Sequence, residues 1–268
     1  MKILVIGATG YIGSAAATAL VRAGHDVATL RRHHGRTPEG LQAVEGDLAD
    51  PASLGPAATG FDRVVHVGPP LGEQADLAAV DALLSAGSPL VHTTGAAVLG
   101  SGAVDEDSAP DPHPIVAWRA EVERRVLAAG GQVVRPGLVY GNGGGLVPGL
   151  FARKAAERGI GLYIGEPGVR WPVVHVEDLA DLYVTVVGRA GPGTVWHGTS
   201  ETVRLDAIAA AVGGGRAVSW PLDEATAELG EIADLFTRDQ DASSAKTRRL
   251  LGWHPANTSL IGYLEKSE

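Results

Sequence analysis

The chain contains no cysteine. Disulfide bridges, thiolate nucleophiles and metal sites with cysteine ligands are therefore excluded. Aromatic residues are also scarce, at 5% of the 268 residues, whereas hydrophobic residues make up 45% and charged residues 20%. A chain of this length and composition can form one large α/β domain, or a main domain with a small lobe.

Basic charge is lacking as well, because the formal net charge is −9. Nucleic-acid binding needs a basic face, so we expect no nucleic-acid partner. No apolar run approaches the length of a membrane span, and we expect no membrane partner. The first residues lead directly into a strand, which predicts no signal peptide and a cytoplasmic protein. The adjacent histidines His33 and His34 diverge and no spaced carboxylates join them, so we expect no metal site.

The most informative stretch is the first part of the chain. Residues 3–6 form a short apolar run that is typical of a buried parallel strand. Gly7, Gly10 and Gly13 follow, and residues 14–22 are good helix formers. Missing side chains let phosphates reach backbone N–H groups, and the helix dipole favours negative charge. This arrangement predicts a pyrophosphate site; the alternative is a glycine-rich turn that binds nothing.

The end of the second predicted strand, residues 25–30, indicates which dinucleotide binds. A chain that binds NAD usually carries an acidic residue about 20 residues past the glycines, where it holds the ribose 2′-hydroxyl. Here that place holds Arg31 and Arg32. Their guanidinium groups suit a 2′-phosphate, so we predict NADP(H) as the cofactor. The alternative is a solvated basic turn.

Strands alternate with helices along the first half of the chain. Further strands are predicted at residues 41–48, 63–67, 90–94 and from 133, with helices at 75–86 and 114–129. The alternation predicts an α/β fold with a doubly wound parallel sheet of the Rossmann type. The pattern changes after Leu150. We therefore predict a dinucleotide-binding domain of residues 1–150 and 173–200, and a small C-terminal substrate-binding lobe of residues 151–172 and 201–268.

Five motifs occur in a characteristic order. They are Gly-Ala-Thr-Gly-Tyr-Ile-Gly at 7–13, Gly46-Asp47-Leu48, Arg135-Pro136-Gly137-Leu138-Val139-Tyr140-Gly141, Val174 to Ala180, and Ser243 to Lys246 with Leu251 to Pro255. Together they resemble the motifs of the extended short-chain dehydrogenase/reductase family, the nucleotide-sugar epimerase and dehydratase group. The resemblance implies the Rossmann fold, a nicotinamide cofactor and a homodimer, for which the helix that contains Trp118 is the expected contact.

The glycine turn, the strand ends and the resemblance together define the expected cofactor site. Its predicted residues are Gly7, Thr9, Gly10, Tyr11, Ile12, Gly13, Arg31, Arg32, Asp47, Leu48, Val67, Gly68, Pro69, Thr93, Arg119, Pro136, Gly137 and Leu138. Asp47 has two interpretations, because it could cap the following helix or lie beside the adenine.

The family's three catalytic positions are altered in this sequence. The resemblance places Gly95 at the position of its serine or threonine, Ile115 at that of its tyrosine and Arg119 at that of its lysine. Isoleucine cannot transfer a proton. Arg119 can hold the ribose hydroxyls but is a poor proton donor. Either another group supplies a proton, or the reaction needs none, or no reaction takes place.

Four residues are candidates for the missing chemistry: His113, Thr94, Tyr11 and Arg119. His113 lies on the loop expected to overhang the nicotinamide, and could act as an acid or base or be a solvated loop histidine. Thr94 could replace the missing hydroxyl or pack within its strand. The phenol of Tyr11 could face the substrate or pack over the cofactor.

Other residues have mainly structural interpretations. His66 and His92 lie in buried strands and are expected to be hydrogen-bonded core residues, and Trp171 is expected in the core or a pocket wall. We predict an NADP(H)-dependent oxidoreductase or epimerase-like enzyme that acts on a small molecule. The alternatives are a non-redox isomerase, dehydratase or cyclase that uses the same pocket, and a non-catalytic NADP(H)-binding sensor.

Overall fold

The computed structural model describes residues 1–266, with Pro148 described by its backbone alone. Positions 267 and 268, which belong to the predicted lobe, lie outside the described residues. The strands are Lys2–Ile6 (β1), Asp26–Arg31 (β2), Gln42–Glu45 (β3), Arg63–His66 (β4), Leu90–Thr93 (β5), Gly102–Val104 (β6), Gln132–Pro136 (β7), Leu138–Gly141 (β8), Gly144–Gly145 (β9), Gly161–Ile164 (β10), Arg170–His175 (β11), Thr194–Gly198 (β12), Glu201–Arg204 (β13), Ala217–Trp220 (β14) and Gln240–Ala242 (β15).

Helices follow most of these strands. They are Tyr11–Arg22 (α1), Pro51–Ala58 (α2), Glu73–Ser85 (α3), Trp118–Ala128 (α4), Arg153–Arg158 (α5), Val176–Arg189 (α6), Leu205–Val212 (α7), Leu222–Leu229 (α8), Ile232–Leu235 (α9), Ala245–Leu251 (α10) and Leu260–Leu264 (α11). A π turn at Val147–Ala152 leads into α5. Within residues 1–266, no helix combines the length and apolarity that a membrane span requires.

The main sheet has seven strands in the order β12-β7-β5-β4-β1-β2-β3. Every neighbouring pair is parallel. Helices α1 and α6 pack on one face, and α2, α3 and α4 pack on the other. The predicted doubly wound parallel sheet is therefore confirmed. The strand order reverses between β1 and β4, and in such sheets ligands bind outside the carboxyl ends of the strands at this point.

A second layer begins where β7 ends. At Gly137 the chain leaves the main sheet, because β8 pairs with β11 rather than with β5. A Cβ atom on Gly137 would stand 2.4 Å from the carbonyl oxygen of Pro172, so only glycine permits this close approach. Strand β11, which the predicted domain boundary at residue 173 divides, joins β8, β9 and β13 in a four-stranded sheet.

The C-terminal half packs around its own apolar core. Phe151, Trp220 and Phe236 are buried in it. Two short parallel sheets complete this region, β10 with β14 and β6 with β15. Neither pairing was expected from the sequence, because each joins segments that lie far apart along the chain.

The helix predicted for residues 114–129 is shorter than expected. Residues Pro114–Val116 form a single 3-10 turn, and the α-helix begins only at Trp118. His113 accepts a hydrogen bond from the Ile115 N–H group at 3.3 Å and so fixes the turn. Residues 115 and 119 therefore lie on either side of a junction between two helix types, rather than one α-turn apart.

Candidate functional site

The glycine turn lies at the switch point and is shaped for close backbone approach. Gly7 has φ of 94°, and a Cβ atom on it would stand 2.8 Å from the Gly68 nitrogen and the Val67 oxygen. A Cβ atom on Gly13 would stand 2.0 Å from the Gly7 oxygen. No side chain caps the start of helix α1, which begins at Tyr11. This cradle of bare backbone in front of an open helix N-terminus fits the pyrophosphate of a dinucleotide.

A first cavity of about 240 Å³ continues from this turn along the ends of β4 and β5. The predicted cofactor residues that line it are Ile12, Leu48, Val67, Gly68, Pro69, Thr93 and Arg119. These residues come from five separate segments of the chain, and the fold brings them together around one cavity. Thr9 and Gly10 are exposed in the adjoining turn.

A second cavity of about 280 Å³ lies beyond it, next to the break between β7 and β8. The three predicted residues Pro136, Gly137 and Leu138 line one wall. Trp171, Leu235, Arg238 and Gln240 also line this cavity. Ile12 and Thr94 line both cavities, so the two cavities meet at these side chains.

Thr94 does not offer a free hydroxyl to the second cavity. Its Oγ1 donates a hydrogen bond of 2.5 Å to Oε1 of Glu123. The same carboxylate accepts hydrogen bonds from Arg135, with Nη2 at 2.5 Å from Oε2 and Nε at 3.0 Å from Oε1. The Thr94 hydroxyl therefore already donates its hydrogen bond to the Glu123 carboxylate of a buried ion pair. Its oxygen can still accept a hydrogen bond from a ligand.

Arg119 lines the first cavity and lies close to Gly95 in the lining of the second. Its Nη1 donates to the carbonyl oxygen of Thr94 at 3.1 Å. The same nitrogen would lie 3.9 Å from a Cβ atom on Gly95, which lines the second cavity. A positive charge therefore stands close to the point where the two cavities meet.

His113 is neither solvated nor part of the lining of either cavity. It is 5% exposed, so the solvated alternative is wrong. Its Nε2 lies 2.8 Å from Oδ2 of Asp234 in helix α9, while Nδ1 accepts the Ile115 N–H group. Because Leu235 of the same helix lines the second cavity, His113 anchors a wall of that cavity.

Tyr11 also differs from its sequence-based interpretation as a free phenol. Its hydroxyl donates to the Gly141 carbonyl oxygen at 2.7 Å. A Cβ atom on Gly144 would stand 2.3 Å from the ring, so the ring packs tightly against the turn after β8. Burial raises the pKa of the Tyr11 phenol above its usual range. The group is therefore a poor proton donor.

Asp47 forms a tight turn after β3. Its Oδ1 accepts the Ala49 N–H group at 3.0 Å, and its own N–H donates to Ser53 Oγ at 2.9 Å. The following helix, α2, begins after Asp50 and has no side-chain cap. The side chain of Asp47 thus orders the turn that presents Leu48 to the first cavity.

The two arginines at the end of β2 lie at the predicted adenosine end of the site. Arg32 is exposed. Arg31 is 30% exposed and its Nη2 lies 3.2 Å from Oε1 of Glu45 on the neighbouring strand. The Nε atom of Arg31 is buried and has no hydrogen-bond partner among the described residues. A basic pair is therefore present, with one carboxylate beside it.

His66 and His92 form a buried pair beneath the first cavity. They lie side by side on β4 and β5, with ring centroids 4.8 Å apart. Burial lowers the pKa of His66 to about 4. Burial, followed by electrostatic interaction with His66 and Arg119, lowers the pKa of His92 well below its usual range. The expectation of hydrogen-bonded core histidines is wrong for their Nδ1 atoms, which have no partner in the described part of the chain.

Sequence reasoning missed one wall of the second cavity altogether. Leu235, Arg238 and Gln240 carry no local motif, and only the pairing of β15 with β6 brings Gln240 to the site. Trp171 is confirmed as a pocket wall. Among residues 1–266, no group of three or more histidine, aspartate or glutamate side chains could hold a metal ion.

The fold and the glycine cradle define an α/β protein of the Rossmann type. The chain belongs to the NAD dependent epimerase/dehydratase family, whose model matches residues 3–197. Over 290 residues it is 28% identical to Uncharacterized protein YLL056C of Saccharomyces cerevisiae, covering 97% of both chains. Over 230 residues it is 30% identical to a 2-alkyl-3-oxoalkanoate reductase of Stenotrophomonas maltophilia, covering 74% of this chain and 68% of the relative.

A solved structure has the same fold over the whole described length. It is the human epimerase family protein SDR39U1 (isoform 2) with NADPH, at a TM-score of 0.75 and 21% identity, covering 99% of this chain and 98% of that one. At this identity the likeness concerns the fold. The chain thus has the sequence relationships of an oxidoreductase or epimerase of the short-chain dehydrogenase/reductase type.

Proposed function

We propose that the protein is an NADP(H)-dependent reductase of a small, largely apolar carbonyl compound. The observation that carries this proposal is the meeting of the two cavities at Ile12 and Thr94. A dinucleotide with its pyrophosphate on the glycine turn would run along the first cavity. Its nicotinamide end would then face the second cavity, where a substrate could lie against it.

The choice of NADP(H) rests on Arg31 and Arg32. The partly exposed guanidinium of Arg31 and the exposed guanidinium of Arg32 can donate to a 2′-phosphate. Glu45 removes part of this advantage, because it pairs with Arg31. The relation to a human protein solved with NADPH supports the same choice, whereas the family name refers to NAD.

The lining of the second cavity favours a reductase of an apolar molecule over a nucleotide-sugar epimerase. Among the described residues that line it, Arg238 is the single cation, and it already donates to the Asp111 carbonyl oxygen. A diphosphate group would need several cationic or N–H donors. The walls formed by Leu138, Trp171 and Leu235 suit an apolar ligand instead.

The residues around the junction have distinct roles in this reaction. When bound, NADPH supplies the hydride that, with one proton, converts a carbonyl group into a hydroxyl. The guanidinium of Arg119 stabilises negative charge on the carbonyl oxygen at the junction of the cavities. Thr94 cannot give up its proton, because Glu123 holds it. Of the described residues, those lining the second cavity include no histidine, tyrosine, lysine or carboxylate, so the proton comes from water.

Turnover and cofactor binding test this proposal separately. Calorimetry with NADPH and NADH measures binding, and loss of NADPH absorbance measures reduction of a panel of apolar aldehydes and ketones. Arg119→Met should lower kcat about a hundredfold. Arg124→Met is the matched control, since Arg124 lies exposed on the same helix and pairs with Glu121. Binding of NADPH without oxidation against any carbonyl compound would favour a non-redox enzyme or a sensor, and no binding would overturn the proposal.

A further inference from the structure

We propose that Gln240 selects the ligand of the second cavity, by accepting a hydrogen bond from a hydroxyl or N–H group on an otherwise apolar carbonyl compound. The proposed function supplies only the carbonyl group of this ligand. The orientation of the Gln240 side-chain amide determines which of its atoms a ligand can meet.

Three backbone carbonyl groups fix that orientation. Nε2 of Gln240 donates to the oxygens of Ala96, Leu99 and Gly100, at 3.0, 3.2 and 3.1 Å. A flipped amide would bring Oε1 against three carbonyl oxygens, which can only accept hydrogen bonds. The amide is therefore held with its nitrogen towards this loop and its oxygen in the opposite direction.

The backbone of Gln240 is held as firmly as its amide. It pairs with Gly102 in the short parallel sheet of β6 and β15. The residue is 8% exposed, so its side chain has little freedom to rotate away. An acceptor that is fixed before the ligand arrives loses little entropy on binding and can discriminate between ligands.

The oxygen of this amide is not sealed in the interior. Gln240 lines that cavity, and its Oε1 neither accepts a hydrogen bond from the described residues nor belongs to the buried polar atoms without a partner. Gln132 provides a contrast within the same protein. Its Nε2 donates to the Gly191 oxygen, but its Oε1 is sealed in the interior without a partner.

The other polar groups of the wall are engaged elsewhere. The indole nitrogen of Trp171 donates to the Arg238 carbonyl oxygen at 3.1 Å. The indole ring stacks on Phe236 with centroids 4.9 Å apart and planes 2° from parallel. Trp171 thus presents a fixed, flat apolar surface. The Thr94 hydroxyl oxygen can also accept a hydrogen bond, but Thr94 lies where the two cavities meet. For a ligand donor group that lies within the second cavity, away from this junction, we assign Gln240 as the acceptor.

This arrangement defines the ligand by its chemistry. A flat apolar body suits the wall formed by Trp171, and one hydroxyl or N–H group satisfies the Gln240 oxygen. An analogue with a methyl ether at the same place cannot donate, and it leaves the oxygen desolvated and unpaired. Sites built to hydrogen-bond a hydroxyl reject such analogues more strongly than apolar sites reject a missing methylene group.

Matched ligand pairs test the proposal without any requirement for turnover. The probes are hydroxynaphthaldehydes that differ in the position of the hydroxyl, each with its methyl ether. Calorimetry measures their affinity for the full chain, alone and with NADP⁺. At least one hydroxyl compound should bind about tenfold more tightly than its ether. If no pair in the wild type differs by more than about twofold, the proposal is overturned.

Variants locate the origin of that preference. Gln240→Leu should reduce the difference to less than about twofold, whereas Gln132→Leu should retain it in full. Gln240→Met, which keeps the unbranched shape, replaces the leucine variant if that one is unstable. A preference that survives both Gln240 variants would assign the selection to another residue. Failure of NADP⁺ to bind would overturn the proposed function while the comparison of the ligand pairs remained valid.

Discussion

Arg135 and Glu123 form a double hydrogen bond beneath the junction of the two cavities, with both side chains almost completely buried at 3% and 2% exposure. Glu123 also holds the Thr94 hydroxyl and lies on helix α4, whereas Arg135 lies on β7. The pair therefore connects the helix that carries Arg119 to the strand that leads into the second cavity. The cost of burying these two charges is offset only while both partners are present.

Removal of one partner should consequently be far more harmful than removal of both. We expect Glu123→Leu to lower the free energy of unfolding by about 3–5 kcal/mol, because Arg135 is left buried and unpaired. The double variant Glu123→Leu, Arg135→Met should recover much of this loss. Urea unfolding followed by circular dichroism measures both. The control is Arg124→Ala, which removes an exposed ion pair on the same helix. This variant should change the midpoint of urea unfolding very little. Additive losses in the double variant would contradict this account.

Cofactor preference should depend on charges at the ends of β2 and β3. Arg31→Ala combined with Arg32→Ala should weaken NADPH binding roughly ten- to a hundredfold and leave NADH binding nearly unchanged. Glu45→Gln should strengthen NADPH binding by a few-fold, because it frees Arg31 from a competing carboxylate. Calorimetry with both cofactors gives the affinities. Arg63→Ala, at the start of β4 and thus at the opposite edge of the sheet, is the control. Equal affinity for the two cofactors in the wild type would refute the preference.

The buried His66 should make the protein sensitive to mild acid. The pKa of His66 falls from 6.5 to about 4 on burial, so between these values the unfolded chain binds a proton that the folded protein does not. The stability is complete above pH 6.5 and decreases as the pH falls towards 4. We expect a loss of about 2 kcal/mol between pH 6.5 and pH 5 from this residue.

The pH dependence of urea unfolding measures this loss. His66→Gln should flatten the acid limb of the stability curve, whatever it does to stability at neutral pH. His254→Gln, at an exposed position, should leave the slope unchanged. An identical slope in the wild type and the His66 variant would show that other groups control acid unfolding.

Restoring the family's catalytic residues should not restore its ordinary chemistry. In the triple variant Gly95→Ser, Ile115→Tyr, Arg119→Lys, the new phenol would stand on a 3-10 turn, and Ile115 does not line the second cavity. Gly95 has φ of 155°, where a side chain adds backbone strain of about 1–3 kcal/mol. We expect carbonyl reduction no faster than in the wild type at saturating NADPH. A large gain in kcat would show that the turn readjusts and that only the reactive groups were missing.

The sequence predicted the parts of this protein that depend on local patterns. The glycine turn, the buried strands and the intervening helices are recognisable within short windows, so the sheet and the first cavity followed from them. The second cavity depends on contacts between distant segments. Gln240 reaches the loop of residues 96–100 only through the pairing of β15 with β6, and no short pattern near residue 240 indicates this.

The hydrogen-bond partners of the candidate proton donors could not be predicted for a related reason. The residue type determines which hydrogen bonds and proton transfers a side chain can take part in. The hydrogen-bond partners in the folded protein determine which of these occur. Thr94 donates a hydrogen bond to Glu123, Tyr11 donates to a backbone carbonyl group, and His113 is hydrogen-bonded to Asp234. These partners lie 29, 130 and 121 residues away along the chain. Sequence alone could propose the groups but could not assign their hydrogen bonds.

The position of Gln240 late in the chain has a consequence for protein synthesis. All seven strands of the main sheet, and the glycine turn with them, are present once β12 has been made at Gly198. Leu235 and Gln240 are added only afterwards. Domains generally fold from the N-terminus as the chain is made. A nascent chain can therefore complete its glycine turn and main sheet before Leu235 and Gln240 of the second cavity have been synthesised. Translation thus builds the site in a fixed order, and the part that recognises the second ligand is finished last.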